Sequence, residues 1–580
     1  MRPRCLVIRF YFLGGIELGR VGKLFCGMGF GRNFLGLEAY SSATSMTTAT
    51  TTTTIVRPAD LALRDALQLA AMFAVVKLLL QFALTLWTLH LGYSYFRDEF
   101  YYIACGRHLA WGYVDHGPIV ALQARLGEWI FGDSVFGIRV LSAAAGAVMV
   151  FLTGVIAWAL GGRRPAQALA MFGVIVCPQY IGTDGFLSMN SFEPMFWMTC
   201  VLAVILMVRG WSLRTWWMVF GFVAGIGLLN KPSMTFFLVT LGIGLLLTKQ
   251  RWVLFSRWTL VGVGLMVLIV LPHVLWQVQN HWPTLEFLHN GQVRHKNIVL
   301  GPVAFFLAQF ATMQPVNALI WIAGVVSLLR AKSVREGRWL GLTYVLFYAL
   351  MFAMHAKDYY LAGVYPAMFA AGGIAWERRF AASRAVRENR IVGFPVFEAV
   401  LLVTSLIILP MSSPVLRPAA WVRYTTALHL HGDKMETAET GPLPQFYADR
   451  FGWQQEVDIV AQTYRSLTPE QQQRVCVFAS NYGEAGAIDF LGRREGLHLP
   501  PALSGQNNYW LWGTHGCDTN VVIAVIPDTP DEVGQKYESV EVVGRMDDPY
   551  AMPFEHKNIY LLRGRRAAAH FDWADERFYF

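Results

Sequence analysis

Long apolar runs, broken at short intervals by polar and charged loops, dominate the chain up to Leu409. Read with a window of bilayer-crossing length, the pattern predicts about eleven membrane helices: Ala66 to Leu91, Val135 to Leu160, Pro165 to Ile181, Met189 to Val208, Trp216 to Leu229, Ser233 to Leu247, Trp258 to Trp276, Val303 to Leu329, Leu340 to Met354, Tyr359 to Trp376 and Phe394 to Leu409. From about Ser412 the residues turn polar and mixed. Arg474 to Ser480, Val521 to Ile526 and Asn558 to Leu562 read as β-strands, the first followed by a turn and a helix start at Asn481 to Phe490. The expected architecture is a polytopic α-helical membrane domain, residues 59–411, followed by a C-terminal α/β domain, residues 412–580.

Orientation follows from Lys and Arg, because positive charge close to span ends is retained in the cytoplasm. Arg163 and Arg164, then Arg209 and Arg214, then Lys249, Arg251 and Arg257, then Arg330, Lys332, Arg335 and Arg338, and last Arg378, Arg379, Arg384, Arg387 and Arg390 fall in every second loop. Those loops and the N-terminus are expected on the cytoplasmic side, and the C-terminal domain outside. Composition agrees: of 580 residues, 55% are hydrophobic and 15% charged, the balance of a chain whose main solvent is lipid. The net charge of +9 sits in short loops rather than on one domain surface, so membrane lipids are expected partners and nucleic acid is not.

Residues 1–58 carry Arg2, Arg4 and Arg9, then glycine-rich and threonine-rich stretches, and no spanning run. They read as a poorly ordered extension, either a targeting segment or residues upstream of a true start at Met46. Cys476 and Cys517 lie in the C-terminal domain, where an oxidising compartment would permit a disulfide, two unpaired buried thiols being the alternative. Cys177 and Cys200 fall in or near spans and read as packing residues.

The loops expected outside are rich in chemistry. The first, Gly92 to Ser134, holds Arg97-Asp98-Glu99-Phe100-Tyr101-Tyr102 and then Tyr113-Val114-Asp115-His116-Gly117-Pro118. An acidic pair at a membrane boundary, followed by a carboxylate beside a histidine, can supply a general base and a divalent metal site. A solvated loop explains the same residues without chemistry. Glu193 begins an otherwise apolar helix, where an ionisable group defaults to a functional role and a snorkelling surface glutamate is the alternative. Lys231, Arg294, His295, Lys296 and Lys357 run against the charge rule on this side, and together they suit a phosphate or diphosphate held at the membrane surface. In the C-terminal domain, Ser504 to Trp512 pairs amides with aromatics. Asn507, Asn508 and Trp510, with Tyr482 and Glu484 at the preceding helix start, are candidate acceptor or sugar contacts, against a competing reading of aromatic packing on the membrane surface.

In their order and sidedness these residues resemble the membrane glycosyltransferases of the GT-C superfamily, in the bacterial branch related to protein O-mannosyltransferases and lipid A aminoarabinose transferases. The resemblance covers roughly Leu61 to Leu409. Asp98-Glu99 is similar to the family's acidic motif in the first outer loop, whose first aspartate is the catalytic candidate, and Asp115-His116-Gly117-Pro118 to its second acidic motif before a proline. Glu193-Pro194 takes the place of the usual Asp-Pro, a departure that keeps the charge on a longer arm beside the uncharged Asn190. Lys231 corresponds to a lysine in a turn between spans, and Lys357 with the tyrosines up to Tyr360 resembles the Lys-x-x-Tyr stretch near the last spans.

The resemblance implies a GT-C type fold and an enzyme that moves a sugar from a polyprenyl-phosphate donor to an acceptor hydroxyl, at the outer face of a bacterial plasma membrane, by single displacement with inversion. It implies Asp98 as base with Glu99 beside it, and Lys231, Lys357 and Tyr360 around the donor phosphate, to which the outer-face charges add His295 and Lys296. Asp115, His116 and Glu193 are the set for a divalent metal. The rival reading is a transporter or flippase of a lipid-linked or polar substrate, toward which only Lys77, inside the first span, leans. The sugar and the acceptor stay open.

Overall fold

The computed structural model describes residues 63–330, 336–383, 393–430, 432 and 436–580; the N-terminal extension and the loop charges Lys332, Arg335, Arg384, Arg387 and Arg390 lie outside the described residues. The chain enters on α1 (Leu63–His90), followed by two shorter helices, α2 (Arg97–Arg107) and α3 (Pro118–Phe131), and by the long α4 (Val135–Ala159). Local chemistry sets these boundaries. Pro118 opens α3 where its missing N–H costs nothing, and Ser134 caps α4 by accepting from the Gly137 N–H.

Every predicted apolar run is helical in whole or in part. Among the described residues, six helices are long and apolar enough to cross a bilayer, α1, α4, Met189–Val208, Leu213–Asn230, Arg257–Gln279 and Phe394–Ser412, or up to eight if each of two bent pairs is one span. The expected count of eleven is not confirmed by this measure: Arg338–Ala353 is continuous but short, and breaks divide or shorten others of the remaining runs. Val303 to Leu329 divides into Pro302–Met313 and Ala318–Arg330, bent by 115°. The break falls at Gln314, at φ 73°, just before Pro315, whose ring disfavours helical backbone in the preceding residue. Pro178 likewise separates Arg164–Ile175 from the short Pro178–Thr183. In the run from Tyr359, a 3₁₀ turn at Asp358–Gly363 precedes the helix Tyr365–Ala382.

Burial sorts the spans: 78% of the apolar window is buried in α4 and in Met189–Val208, against 6% in Arg257–Gln279, so the first two form the bundle interior and the last turns its side chains outward. Lys77, the buried charge of α1, donates to the Tyr180 carbonyl at 3.0 Å and pairs with Asp184 at 2.8 Å. It ties α1 to the chain around Pro178 and is spoken for within the fold, which removes the one residue that leaned toward a transporter.

The tail domain carries a five-stranded sheet of β1 (Cys476–Ala479), β2 (Ala502–Leu503), β3 (Val521–Ile526), β4 (Tyr537–Arg545) and β5 (Asn558–Arg565), in the order β2-β1-β3-β5-β4. β1 runs parallel to β2 and β3, while β5 is antiparallel to β3 and β4. The helix Tyr482–Arg494 follows β1 and is capped by Asn481, whose side chain accepts from the Gly483 and Glu484 N–H groups. Its first turns lie directly on α2. A Cβ at Gly486 would stand 2.9 Å from the Phe100 Cβ, and one at Gly483 2.6 Å from the Arg97 Cγ, so both glycines are required by the approach.

Cys476 and Cys517 are joined in a disulfide across a sequence separation of 41. A closed loop of that length stabilises the domain by about 4 kcal/mol in the chain-entropy account. Reduction, or Cys517→Ser, is therefore expected to lower the protein's thermal midpoint by several degrees; a midpoint that does not move under dithiothreitol would contradict this.

Candidate active site

Asp98 and Glu99 are neighbours in sequence but lie about 100° apart around α2, and the helix sends them to different fates. Glu99 is fully buried. Its carboxylate accepts from the Phe96 N–H at 2.8 Å, the Leu187 N–H at 2.8 Å, and the Arg139 Nε and Nη2 at 2.8 and 2.7 Å. Burial by itself raises the proton affinity of this group, but the Arg139 charge and its bidentate hydrogen bonds hold the carboxyl below the usual range. With its lone pairs taken, Glu99 is a brace joining α2, α4 and the Leu187 loop. The expectation of a second catalytic carboxylate is corrected accordingly.

Asp98 is half-buried. Its Oδ1 accepts from the Tyr482 hydroxyl at 2.9 Å, while its Oδ2 has no protein partner among the described residues. Burial pushes the Asp98 carboxyl up; Arg97 and the Tyr482 hydrogen bond oppose this, and Glu436 and Asp115 add to it. A carboxylate with raised proton affinity and one open oxygen has the character of a general base.

The second acidic motif reaches the same place through close packing. A Cβ at Gly117 would lie 1.9 Å from the Leu229 carbonyl, so only glycine lets the loop touch the chain just before Asn230-Lys231. Asp115 Oδ1 accepts from the Tyr101 hydroxyl at 2.8 Å. The His116 Nδ1 lies 2.8 Å from the Gly117 carbonyl, which can only accept, so the proton is on Nδ1. The His116 ring stacks on Tyr113 at 4.7 Å and meets the edge of Tyr102 at 5.3 Å, burying Nε2.

Glu193 pairs with Lys231 at 3.0 Å and accepts from the Ser233 hydroxyl. Lys231 also donates to Asn190 Oδ1 at 2.8 Å and sits 4.3 Å above the Tyr360 ring. No three His, Cys, Asp or Glu side chains among the described residues are grouped to hold a metal ion. Glu193 is occupied by Lys231 and Ser233, and His116 is packed into an aromatic cage. The donors expected to bind a divalent ion therefore do not fit one, and that expectation is corrected.

The remaining cations converge on Glu436, whose own charge reaches Asp98. Lys357 pairs with Glu436 at 3.1 Å, and Lys296, 4.6 Å over the Phe580 ring, interacts electrostatically with Glu436, Arg97, Lys357 and Asp98. Burial lowers the proton affinity of Lys296. Glu436 is held below the usual carboxylate range, its burial outweighed by Lys357 and Lys296. His295 is exposed at φ 49°, and among the described residues its carbonyl, not its ring, engages the 436 segment, accepting from Thr437 Oγ1 at 3.2 Å.

Of the expected sugar contacts in the tail, only Tyr482 arrives at this cluster with a side chain open to it. Glu484 is fully buried, pairs with Lys557, and accepts from Ser480 Oγ at 2.9 Å and the Asn481 N–H at 3.1 Å. Asn508 Oδ1 accepts from the Val114 N–H at 2.8 Å, with the Tyr101 hydroxyl at 3.0 Å. Asn507 Oδ1 accepts from the Phe580 N–H at 3.1 Å, and the Trp510 and Trp573 indoles each donate to the other's carbonyl, at 2.8 and 3.0 Å. These groups stitch the tail to itself and to the first loop, and for them the sugar-contact expectation gives way to packing. A cavity of about 650 Å³ opens between α2 and the tail, lined by Phe100, Arg107, Phe490, Tyr509 and Trp512, on the face of α2 opposite Asp98.

Sequence reasoning missed Arg139 and Glu436. An arginine inside the apolar α4 was a readable signal; nothing around Glu436 marks it.

The helical bundle and tail domain together define a membrane protein of the GT-C fold. The crystal structure of ArnT from Cupriavidus metallidurans bound to undecaprenyl phosphate aligns with a TM-score of 0.54 at 16% identity, covering 84% of this chain and 97% of that one. Its apo state aligns at 0.53, with the same identity and coverage. Residues 115–276 match the family model described as dolichyl-phosphate-mannose-protein mannosyltransferase. Undecaprenyl phosphate-alpha-4-amino-4-deoxy-L-arabinose arabinosyl transferase 1 of Pseudomonas fluorescens (strain Pf0-1) is 30% identical over 162 residues, 26% of this chain and 27% of the relative, so the match spans about a quarter of that relative's length.

Proposed function

We propose that this chain is a glycosyltransferase that moves a sugar from a polyprenyl-phosphate carrier to an acceptor hydroxyl, at the membrane face that bears the tail domain. The observation that carries the reading is the convergence of Asp98, with its one open oxygen, and the cations Arg97, Lys296 and Lys357 in one electrostatic neighbourhood. The undecaprenyl phosphate named for the ArnT structure and for the Pseudomonas relative agrees with it. The membrane is then a bacterial inner membrane, with the arginine-rich loops cytoplasmic and the tail domain outside.

The donor phosphate meets Lys296 and Lys357 and takes the place of the Glu436 carboxylate, with Lys231 and Tyr360 flanking it. Asp98 Oδ2 accepts the proton of the acceptor hydroxyl as the acceptor oxygen bonds to the anomeric carbon. The bond from that carbon to the phosphate oxygen breaks, and the charge growing on the leaving phosphate is met by fixed cations, which is stabilisation specific to the transition state.

Lys357→Met is expected to raise the KM for donor about 10- to 100-fold, the worth of one charge-assisted hydrogen bond to phosphate; an unchanged KM removes Lys357 from the site. The reading as a whole is tested by incubating purified protein in nanodiscs with labelled polyprenyl-phosphate sugars. Transfer to an acceptor supports it. No transfer from any donor, together with donor translocation in liposomes, overturns it in favour of a flippase.

A further inference from the structure

We propose that Tyr482 is a positioning residue, whose hydroxyl fixes which oxygen of Asp98 faces the acceptor, so that the tail domain completes the catalytic centre. The inference rests on the glycosyltransferase reading for its purpose, though not for its measurement.

The Tyr482 hydroxyl donates the one side-chain hydrogen bond that Asp98 receives among the described residues, at 2.9 Å to Oδ1. The tyrosine has little freedom to leave. Its backbone N–H donates to Gln506 Oε1 at 3.0 Å, its ring stacks on Tyr101 at 4.6 Å and 28°, and the Arg97 guanidinium lies 4.9 Å from the ring centroid. It is also the first residue of the helix that Asn481 caps and that Gly483 and Gly486 seat on α2. The donor is thus held by the tail while the base it serves belongs to the membrane domain, 384 positions away in sequence. With Oδ1 engaged, Oδ2 is the oxygen left to take the acceptor proton.

The charged and titratable groups facing Asp98 are Arg97 and Tyr102 on its own helix, Asp115 on the following loop, Lys296 on the loop near the bent helices, and Glu436, Asp449 and Tyr482 from the tail side. A hydrogen bond donated to a carboxylate favours its charged form. Without it, Asp98 binds its proton more tightly, and the base is active only once that proton has left. The acid limb of the rate profile therefore moves to higher pH, by about 1 unit for a hydrogen bond to a charged group.

The test is Tyr482→Phe, which keeps the ring, its stack on Tyr101 and its contact with Arg97. Infrared titration of the full-length protein in nanodiscs follows the Asp98 carboxyl band, assigned by its absence in Asp98→Asn. The expected result is a midpoint raised by about 1 pH unit, a matching shift of the acid limb of kcat, and a donor KM unchanged. An infrared midpoint that stays in place overturns the proposal, whether or not the protein transfers sugar. A shifted midpoint in a protein without transferase activity upholds the coupling and sinks the function assigned to the site.

Discussion

Asp98→Asn is expected to slow sugar transfer about 10²- to 10⁴-fold, the usual contribution of a positioned general base, while the protein folds and binds donor as before. The substitution is nearly isosteric, and the amide oxygen can still accept from the Tyr482 hydroxyl, which donates to Oδ1 at 2.9 Å. The side chain is half-buried and makes no close ion pair among the described residues, so little folding energy is at stake. What is lost is the carboxylate oxygen Oδ2, the atom proposed to take the acceptor proton. The check is kcat for transfer from a labelled polyprenyl-phosphate sugar, alongside thermal unfolding of the same preparation. A rate within about tenfold of wild type, below the range expected of a base, would remove Asp98 from that role.

Glu99→Gln is expected to divide the other way, costing about 3–5 kcal/mol of stability by leaving a buried cation without its counter-charge. Arg139 is 2% exposed and Glu99 0%, so water cannot replace the lost partner. Arg450, also buried and within electrostatic reach of both, adds a second positive charge to the same pocket. A glutamine can accept from Arg139 through one oxygen only, and its amide nitrogen would face a donor. Low yield and a depressed unfolding midpoint in detergent are the expected readouts. A variant that folds like wild type and loses only kcat would return Glu99 to the catalytic list.

The contrast between these adjacent residues shows where the sequence was legible and where it was not. Periodicity and run length placed Met189–Val208 and the strand Val521–Ile526 to the residue, because both are decided by neighbours close in the chain. The charged loops beside the spans were equally visible, since a lysine such as Lys231 or Lys357 at a membrane boundary stands out against its surroundings. Pairing was not visible. Glu193 with Lys231 spans 38 positions, Glu99 with Arg139 spans 40, and Asp98 with Tyr482 spans 384. Those partnerships are settled by which helices pack together, and nothing local encodes that. The acidic pair read as one motif because adjacency in sequence suggests adjacency of side chains, which an α-helix denies to neighbouring residues. The break at Gln314 was readable from Pro315, but the apolar content on both sides outweighed it in a hydropathy window.

The seating of the tail helix on α2 also orders events in time. The chain makes Phe100 and Tyr101 early and their covering helix some 380 residues later. At an elongation rate of about 5–20 residues per second, the ribosome needs roughly 20 to 75 s to deliver the one after the other. For that interval α2 has its Phe100 face uncovered, with Gly483 and Gly486 not yet made. The nascent protein therefore passes through a stage in which the helix bearing Asp98 already exists but the helix that covers it does not.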